Sequence, residues 1–305
     1  RRLASGFRDA PARRFGTPGR RRATLAASAI VFAGAGTGLG WSLFADRSGT
    51  VLSSRNFYGW FVVETGDVPK RPGERFFRLF HGRIIHGEQV DAPGVRRHPT
   101  TYYGLSSGVG LAIRSAVTDG GDEGRGIRVG VVGLGVGTLG AWARPQDVYR
   151  FYEINPEVIA LSTGARPIFT YLSDPGGKRE VVLGDARLSL EREPPQRYDV
   201  LVLDAFSSDA IPVHLLTLEA FQLYRRHLAG PRSVLAVHIS NRHLDLEPAV
   251  RALANASGFH GLSVGEEAKG LARASFWLVL SPSRERLRAA ELAPIGEPWD
   301  GPERP

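Results

Sequence analysis

"GVVGLGVGTLGAWA", residues 130–143, is an apolar run that breaks into three alternating glycines and continues as a helix-compatible stretch. Such a turn is either a tight corner or a place where backbone N–H groups approach a ligand. What stands at the ends of the neighbouring strands decides between the two. Five segments share the strand texture: "IRVGVVG" (127–133), "DVYRFYE" (147–153), "REVVLGD" (179–185), "YDVLVLD" (198–204) and "SVLAVHI" (233–239). Helical patterns fit over 138–144, 156–166, 186–191, 215–229 and 245–257, and "SFWLVLS" (275–281) supplies a late edge strand. Apolar strands alternating with amphipathic helices predict an α/β, Rossmann-like domain with a parallel sheet.

Ligands of such sheets bind outside the carboxyl ends of the strands. The first strand ends in Gly133, Gly135 and Gly137, and the second in Glu153, 20 residues after Gly133. A carboxylate there accepts both hydroxyl protons of a ribose. The third ends in Gly184-Asp185-Ala186, where Asp185 suits an adenine amino group, and the fourth in Asp204, followed by a second carboxylate at Asp209. Singly, the glycines serve as a corner and the carboxylates as helix N-caps. Together and in register, the four ends point to a nucleoside. The sixth position of the glycine pattern is Thr138 rather than Gly, so an adenosyl ligand fits better than a dinucleotide.

Upstream, residues 50–91 alternate aromatic and β-branched with polar residues between Gly, Pro and Asp. They predict a small antiparallel β domain over 50–100, ahead of the Rossmann-like domain at 101–283. Residues 284–305 are charged and Pro-rich and are expected to form a flexible tail. The formal charge of +8 is concentrated in residues 1–23, which hold eight Arg and one Asp. The remainder is near neutral and gives no electrostatic footprint for nucleic acid. Residues 24–44 carry no charge, a length that spans a bilayer core. Their small residues at Gly34/Gly38 and Gly36/Gly40 suit packing against other helices. A transmembrane helix is expected here, with residues 1–23 as its basic juxtamembrane segment; a signal peptide is the competing reading. The chain contains neither Cys nor Met, not even at position 1. Thiolate chemistry is excluded, and the chain is expected to begin inside a longer reading frame.

"GVVGLGVGTLGAWA", "FYEINPEV", "GDAR" and "YDVLVLDAFSSDAIPVHLLTLEAF" resemble the spermidine synthase family of aminopropyltransferases. "SRNFYG", "LFHGRIIHGEQ" and "YYGLSSGVGLAI" resemble the branch of that family fused behind a transmembrane bundle. The resemblance covers roughly residues 52–283. It implies an S-adenosylmethionine-type methyltransferase fold and no tightly bound cofactor. The co-substrate would be decarboxylated S-adenosylmethionine, or S-adenosylmethionine itself, and the acceptor a diamine such as putrescine. A homodimer is a candidate assembly. By the same resemblance Asp204 takes the proton of the attacking amine, Asp209 assists, and Tyr103 walls the acceptor groove. Gly133, Gly135, Gly137, Glu153, Asp185 and Ala186 hold the nucleoside.

The chain also departs from the family. Soluble members place an Asp in the glycine turn against the donor's amine, where this chain has Val136. They carry Gln after the groove Tyr, where Gly104 follows Tyr103, and their pocket aspartates lie three apart rather than five. Two alternatives therefore stand beside aminopropyl transfer: methyl transfer from S-adenosylmethionine, and a non-catalytic domain sensing nucleosides or polyamines. His81/His86 and His238/His243 are spaced i, i+5, which suits no single helix face, so no metal site is expected. His238 and Asn241 are read as satisfying local backbone, with the pocket wall as the other option. The N-terminal arginines place that side of the apolar segment in the cytoplasm, yet adenosyl donors are expected only in the cytoplasm. The combined expectation is a membrane-anchored domain that faces the cytoplasm.

Overall fold

The computed structural model describes residues 49–69, 71–119, 124–205, 212–241 and 243–299. The expected basic segment, the expected span at 24–44 and Asp209 lie outside them. Among the described residues, no helix is long and apolar enough to cross a membrane.

The first four strands form an antiparallel meander: β1 (Thr50–Asn56), β2 (Gly59–Asp67), β3 (Arg75–His81) and β4 (Ile84–Asp91). A short turn at 57–58 sets the register of the first pair. Asn56 accepts the Tyr58 N–H through its side chain, and Gly59 takes a φ of 130°. One face of the meander buries Phe61, Val63 and Leu79 in the same core as Val136 and Leu139, so the β unit shares a core with the domain behind it.

The chain then enters α1 (Gly108–Thr118), N-capped by Ser107, whose hydroxyl accepts the Gly110 N–H. The parallel strands follow as β5 (Arg128–Val132), β6 (Val148–Glu153), β7 (Lys178–Leu183), β8 (Val200–Leu203) and β9 (Val234–His238). Helices α2 (Pro156–Thr163), α3 (Ala186–Arg192), α4 (Leu218–His227) and α5 (Glu247–Ala256) connect them. An antiparallel hairpin, β10 (His260–Glu266) and β11 (Ser275–Ser281), completes a seven-stranded sheet in the order β10-β11-β9-β8-β5-β6-β7. The chain leaves β5 toward β6 on one side and returns to β8 on the other, which opens a crevice at the glycine turn.

Three expectations change. The segment 275–281 is an interior strand, because residues 260–266 form the edge strand outside it. The pattern over 138–144 forms only a 3-10 turn, Thr138–Trp142. The expected flexible tail is packed as far as residue 299. Arg286 is 1% exposed, its guanidinium donating to the Arg232 carbonyl and the Ser115 hydroxyl, while Leu287 and Leu292 are fully buried. Trp299 donates its N–H to Gly261. Leu287→Ala is therefore expected to cost about 2–5 kcal/mol in urea-induced unfolding, as a core leucine does. A solvated tail would give no change.

Candidate active site

A cavity of about 530 Å³ opens at the carboxyl ends of the parallel strands. Its floor is the glycine turn after β5. Gly133, Gly135 and Gly137 take φ of 98°, 53° and 79°, a region that side chains disfavour. A Cβ on Gly133 would stand 2.4 Å from the Asp204 carbonyl, and one on Gly135 would stand 2.6 Å from the His86 carbonyl. The turn is thus squeezed between the β8 end and β4. Gly133 and Gly135 line the cavity, whereas Gly137 caps the following 3-10 turn.

Glu153, at the end of β6, is held by the turn itself. Its Oε2 accepts the Leu134 N–H at 3.1 Å and its Oε1 the Asn155 N–H at 2.8 Å. Burial pushes its carboxyl above the usual range, and these backbone donors oppose the shift. Asp185, after β7, caps α3 through the Leu188 N–H at 2.9 Å. Its other oxygen meets His214 Nε2 at 2.9 Å. The N-cap reading of Asp185 is therefore true, and Asp185 and Ala186 still line the same cavity as Glu153.

Asp204 stands at the end of β8 with both oxygens engaged. The Tyr103 hydroxyl donates to Oδ2 at 2.6 Å, and His238 Nδ1 lies 2.6 Å from Oδ1. Burial and the adjacent Asp204 charge push the Tyr103 phenol well above its ordinary range, so it remains a donor. On its other side the imidazole turns Nε2 toward the Ser240 hydroxyl at 2.8 Å. Ser240 in turn accepts the Phe276 N–H at 2.8 Å. The imidazole stacks on Trp277 at 4.3 Å between ring centroids and 10° between planes. Tyr103–Asp204–His238–Ser240 is a continuous, rigidly packed polar chain along one cavity wall.

Of the residues singled out from sequence, the structure brings Tyr103, Gly133, Gly135, Glu153, Asp185, Ala186 and Asp204 to one cavity. The reading of His238 as a backbone partner is corrected: its ring holds Asp204 and lines the cavity. Its signal was present in the sequence, since it ends the fifth parallel strand. Asn241 does serve local backbone, accepting the His243 and Leu244 N–H groups, and it also borders the cavity. Ile84, Ile85, His86 and Arg273 are among the other residues that line it and were not foreseen. Val136 is 1% exposed and turned away from the cavity, packed where a Gly87 Cβ would stand 2.4 Å from it. Gly104 lies beside Glu266, 3.1 Å from Oε1 to the position of a Cβ. Among the described residues, no group of three or more His, Cys, Asp or Glu side chains could hold a metal ion.

No protein-family model matches the chain. It is 32% identical over 116 residues to a polyamine aminopropyltransferase of Vibrio vulnificus (strain CMCP6), a match covering 36% of this chain and 37% of that relative. The match therefore spans little more than a third of the relative's length. A probable spermidine synthase from Corynebacterium glutamicum ATCC 13032 superposes with a TM-score of 0.58 at 15% identity, over 83% of this chain and 90% of that one. A spermidine synthase in complex with the transition state analogue AdoDATO gives 0.52 at 11% identity, over 81% and 77%. The chain thus has the fold of the spermidine synthases.

Four histidines make a prediction about acid. Burial lowers the pKa of His86 to about 4, and those of His81, His227 and His260 in the same direction. A group whose folded pKa is depressed contributes stability that is full above its unfolded value and is lost as pH falls through the folded value. Stability is expected to fall between about pH 6.5 and pH 4, by at most about 1.4 kcal/mol per pH unit for each such histidine. Urea midpoints measured across that range should show the slope, and His86→Leu should flatten it.

Proposed function

We propose that the domain transfers an aminopropyl group from decarboxylated S-adenosylmethionine to a diamine such as putrescine. The observation that carries this reading is the engaged carboxylate of Asp204, set in one cavity with Glu153 and Asp185. The sheet order supports one direction for the ligand. Adenine would lie at Asp185 and Ala186, the ribose at Glu153, and the sulfonium above the glycine turn beside Asp204. The partial match to a polyamine aminopropyltransferase and the shared fold support the same reading.

The attacking amine forms a bond to the carbon next to the sulfonium sulfur. The C–S bond breaks, and methylthioadenosine leaves with the electron pair. A cationic ammonium has no lone pair to attack with, so the acceptor first gives one proton to Asp204, a carboxylate positioned for general base work, and the product leaves as the secondary ammonium. Tyr103 and His238 hold that carboxylate at 2.6 Å each, so its orientation is set before substrate arrives. A donor and an acceptor that are both cationic need a negative wall, and Glu153, Asp185 and Asp204 supply one carboxylate at each of three strand ends.

Methyl transfer from S-adenosylmethionine is a second reading with an observation of its own. Arg273 lines the cavity, and Val136 presents no carboxylate to it, an arrangement that accommodates the carboxylate of the intact donor. Product analysis with each donor separates the two. We also propose that residues 24–44 anchor the protein in the cell membrane with this domain facing the cytoplasm. The uncharged 21-residue stretch and the cytoplasmic supply of adenosyl donors support that placement.

Glu153→Ala is expected to weaken methylthioadenosine binding by about tenfold, or about 1.4 kcal/mol, in isothermal titration. Unchanged affinity would remove the ribose assignment. Asp204→Asn keeps the shape but takes no proton. It should abolish aminopropylated product while donor affinity stays within about twofold. Normal turnover would reduce Asp204 to a structural role. A reporter active only in the periplasm, fused after Pro305 in the full-length protein, should stay silent; a strong signal would overturn the placement.

A further inference from the structure

The cavity wall holds one cation that aminopropyl transfer to a plain diamine does not use. Arg273 stands just ahead of β11, and its placement is built into the backbone. Its backbone N–H donates to the Thr101 carbonyl at 2.7 Å, and the Thr101 N–H donates to the Leu271 carbonyl at 2.9 Å. Thr101 is fully buried and takes a φ of 56°, a left-handed conformation that a β-branched residue adopts only under constraint. The segment before β11 is thereby fixed beside the approach to Tyr103, whose hydroxyl holds Asp204.

From there the Arg273 side chain reaches toward β4, the strand that brings Ile84, Ile85 and His86 to the cavity, and its Nη2 lies 3.8 Å from Glu88 Oε2. That oxygen is already taken. Arg78 Nε donates to it at 2.6 Å, and 3.8 Å is too long for a hydrogen bond. Two guanidiniums thus share one carboxylate, and no other carboxylate among the described residues pairs with either. The surplus positive charge belongs to Arg273, whose side chain is 39% exposed. Among the described residues that line the cavity, Arg273 is the one Arg or Lys. The histidines there offer no equivalent: burial lowers the pKa of His86 to about 4, and His214 and His238 stand against Asp185 and Asp204.

A plain diamine carries only positive charge, and a guanidinium beside its path opposes it. A carboxylate matches a guanidinium both in charge and in its paired oxygens. We propose that Arg273 seats a carboxylate carried by the acceptor, so that the preferred acceptor is a diamino acid whose remote amine reaches Asp204. The inference rests on the aminopropyl-transfer reading given above and narrows its acceptor. The carboxylates at the strand ends then face the cationic groups of the two reactants, and Arg273, away from those ends, faces the anionic one.

Ornithine and putrescine differ by a carboxylate alone, as do lysine and cadaverine, and the two pairs test the proposal. In titration calorimetry of the full chain saturated with methylthioadenosine, each diamino acid should bind at least about tenfold more tightly than its matched diamine. Arg273→Gln should cut that preference by about tenfold, and Arg273→Lys, which keeps the charge without the fork, should restore part of it. A parent that prefers the plain diamines or binds neither member of a pair would overturn the assignment, as would an equal loss for both members in Arg273→Gln. With decarboxylated S-adenosylmethionine present, mass spectrometry should find the aminopropyl group on the diamino acid. A diamino acid bound through Arg273 without product overturns aminopropyl transfer and leaves the carboxylate seat standing. If Arg273→Gln instead weakens only S-adenosylmethionine, the seat belongs to the donor and the proposal falls.

Discussion

The close approach of three backbones at residues 133–135 is the constraint on which the site depends. The turn after β5 lies against the Asp204 carbonyl on one side and the His86 carbonyl on the other, with room for no Cβ at Gly133 or Gly135. The corner and the cavity floor are therefore the same object. Because β4 and the β8 end both touch the turn, the small β unit is held at a fixed distance from the parallel sheet, and the cavity between them has a defined width. Larger residues here would separate the two layers before they disturbed any contact to a ligand.

Electrostatics is organised along the same line. Each carboxylate that faces the cavity is anchored by groups of the fold: Glu153 by two backbone N–H groups, Asp185 by a helix N-terminus and His214, and Asp204 by Tyr103 and His238. A buried charge without such partners is costly. Anchoring also removes rotamer freedom, so the negative wall is preorganised by the fold.

Much of this was legible in the sequence, and the reasons are specific. The parallel strands announce themselves because both of their faces are buried, giving continuous apolar runs such as "VLVL" at 200–203. Their last residues fall at the ligand edge, so Glu153, Asp185 and Asp204 could be placed without coordinates. His238 obeys the same rule but was discounted, since its partner Asp204 is distant in sequence and its stacking on Trp277 has no periodic signature. Strand β10 was missed because Gly261 and Gly265 interrupt its alternation, and its conformation is specified by pairing with β11. The segment after residue 283 reads as solvated by composition. Its burial comes from one arginine satisfying a carbonyl and a hydroxyl on two distant elements, a tertiary arrangement with no local pattern. His86 was set aside with the metal question, because spacing alone does not show which face of a bulged strand meets a cavity.

The interposed hairpin also bears on synthesis. β9 carries His238 and is flanked by β8, which precedes it, and by β11, which follows a helix and an edge strand. As the chain leaves the ribosome, the outer edge of β9 stays unpaired until Ser275–Ser281 has emerged, a lag of seconds at about 5–20 residues per second. During that interval the nascent sheet presents an open row of N–H and C=O groups, the surface on which strands from other chains dock. Trp277, which will clamp the His238 ring, arrives with the same strand. Closing the sheet and locking the imidazole are one late event in the life of the chain, so a nascent domain that has lost its exposed edge has also acquired its finished cavity wall.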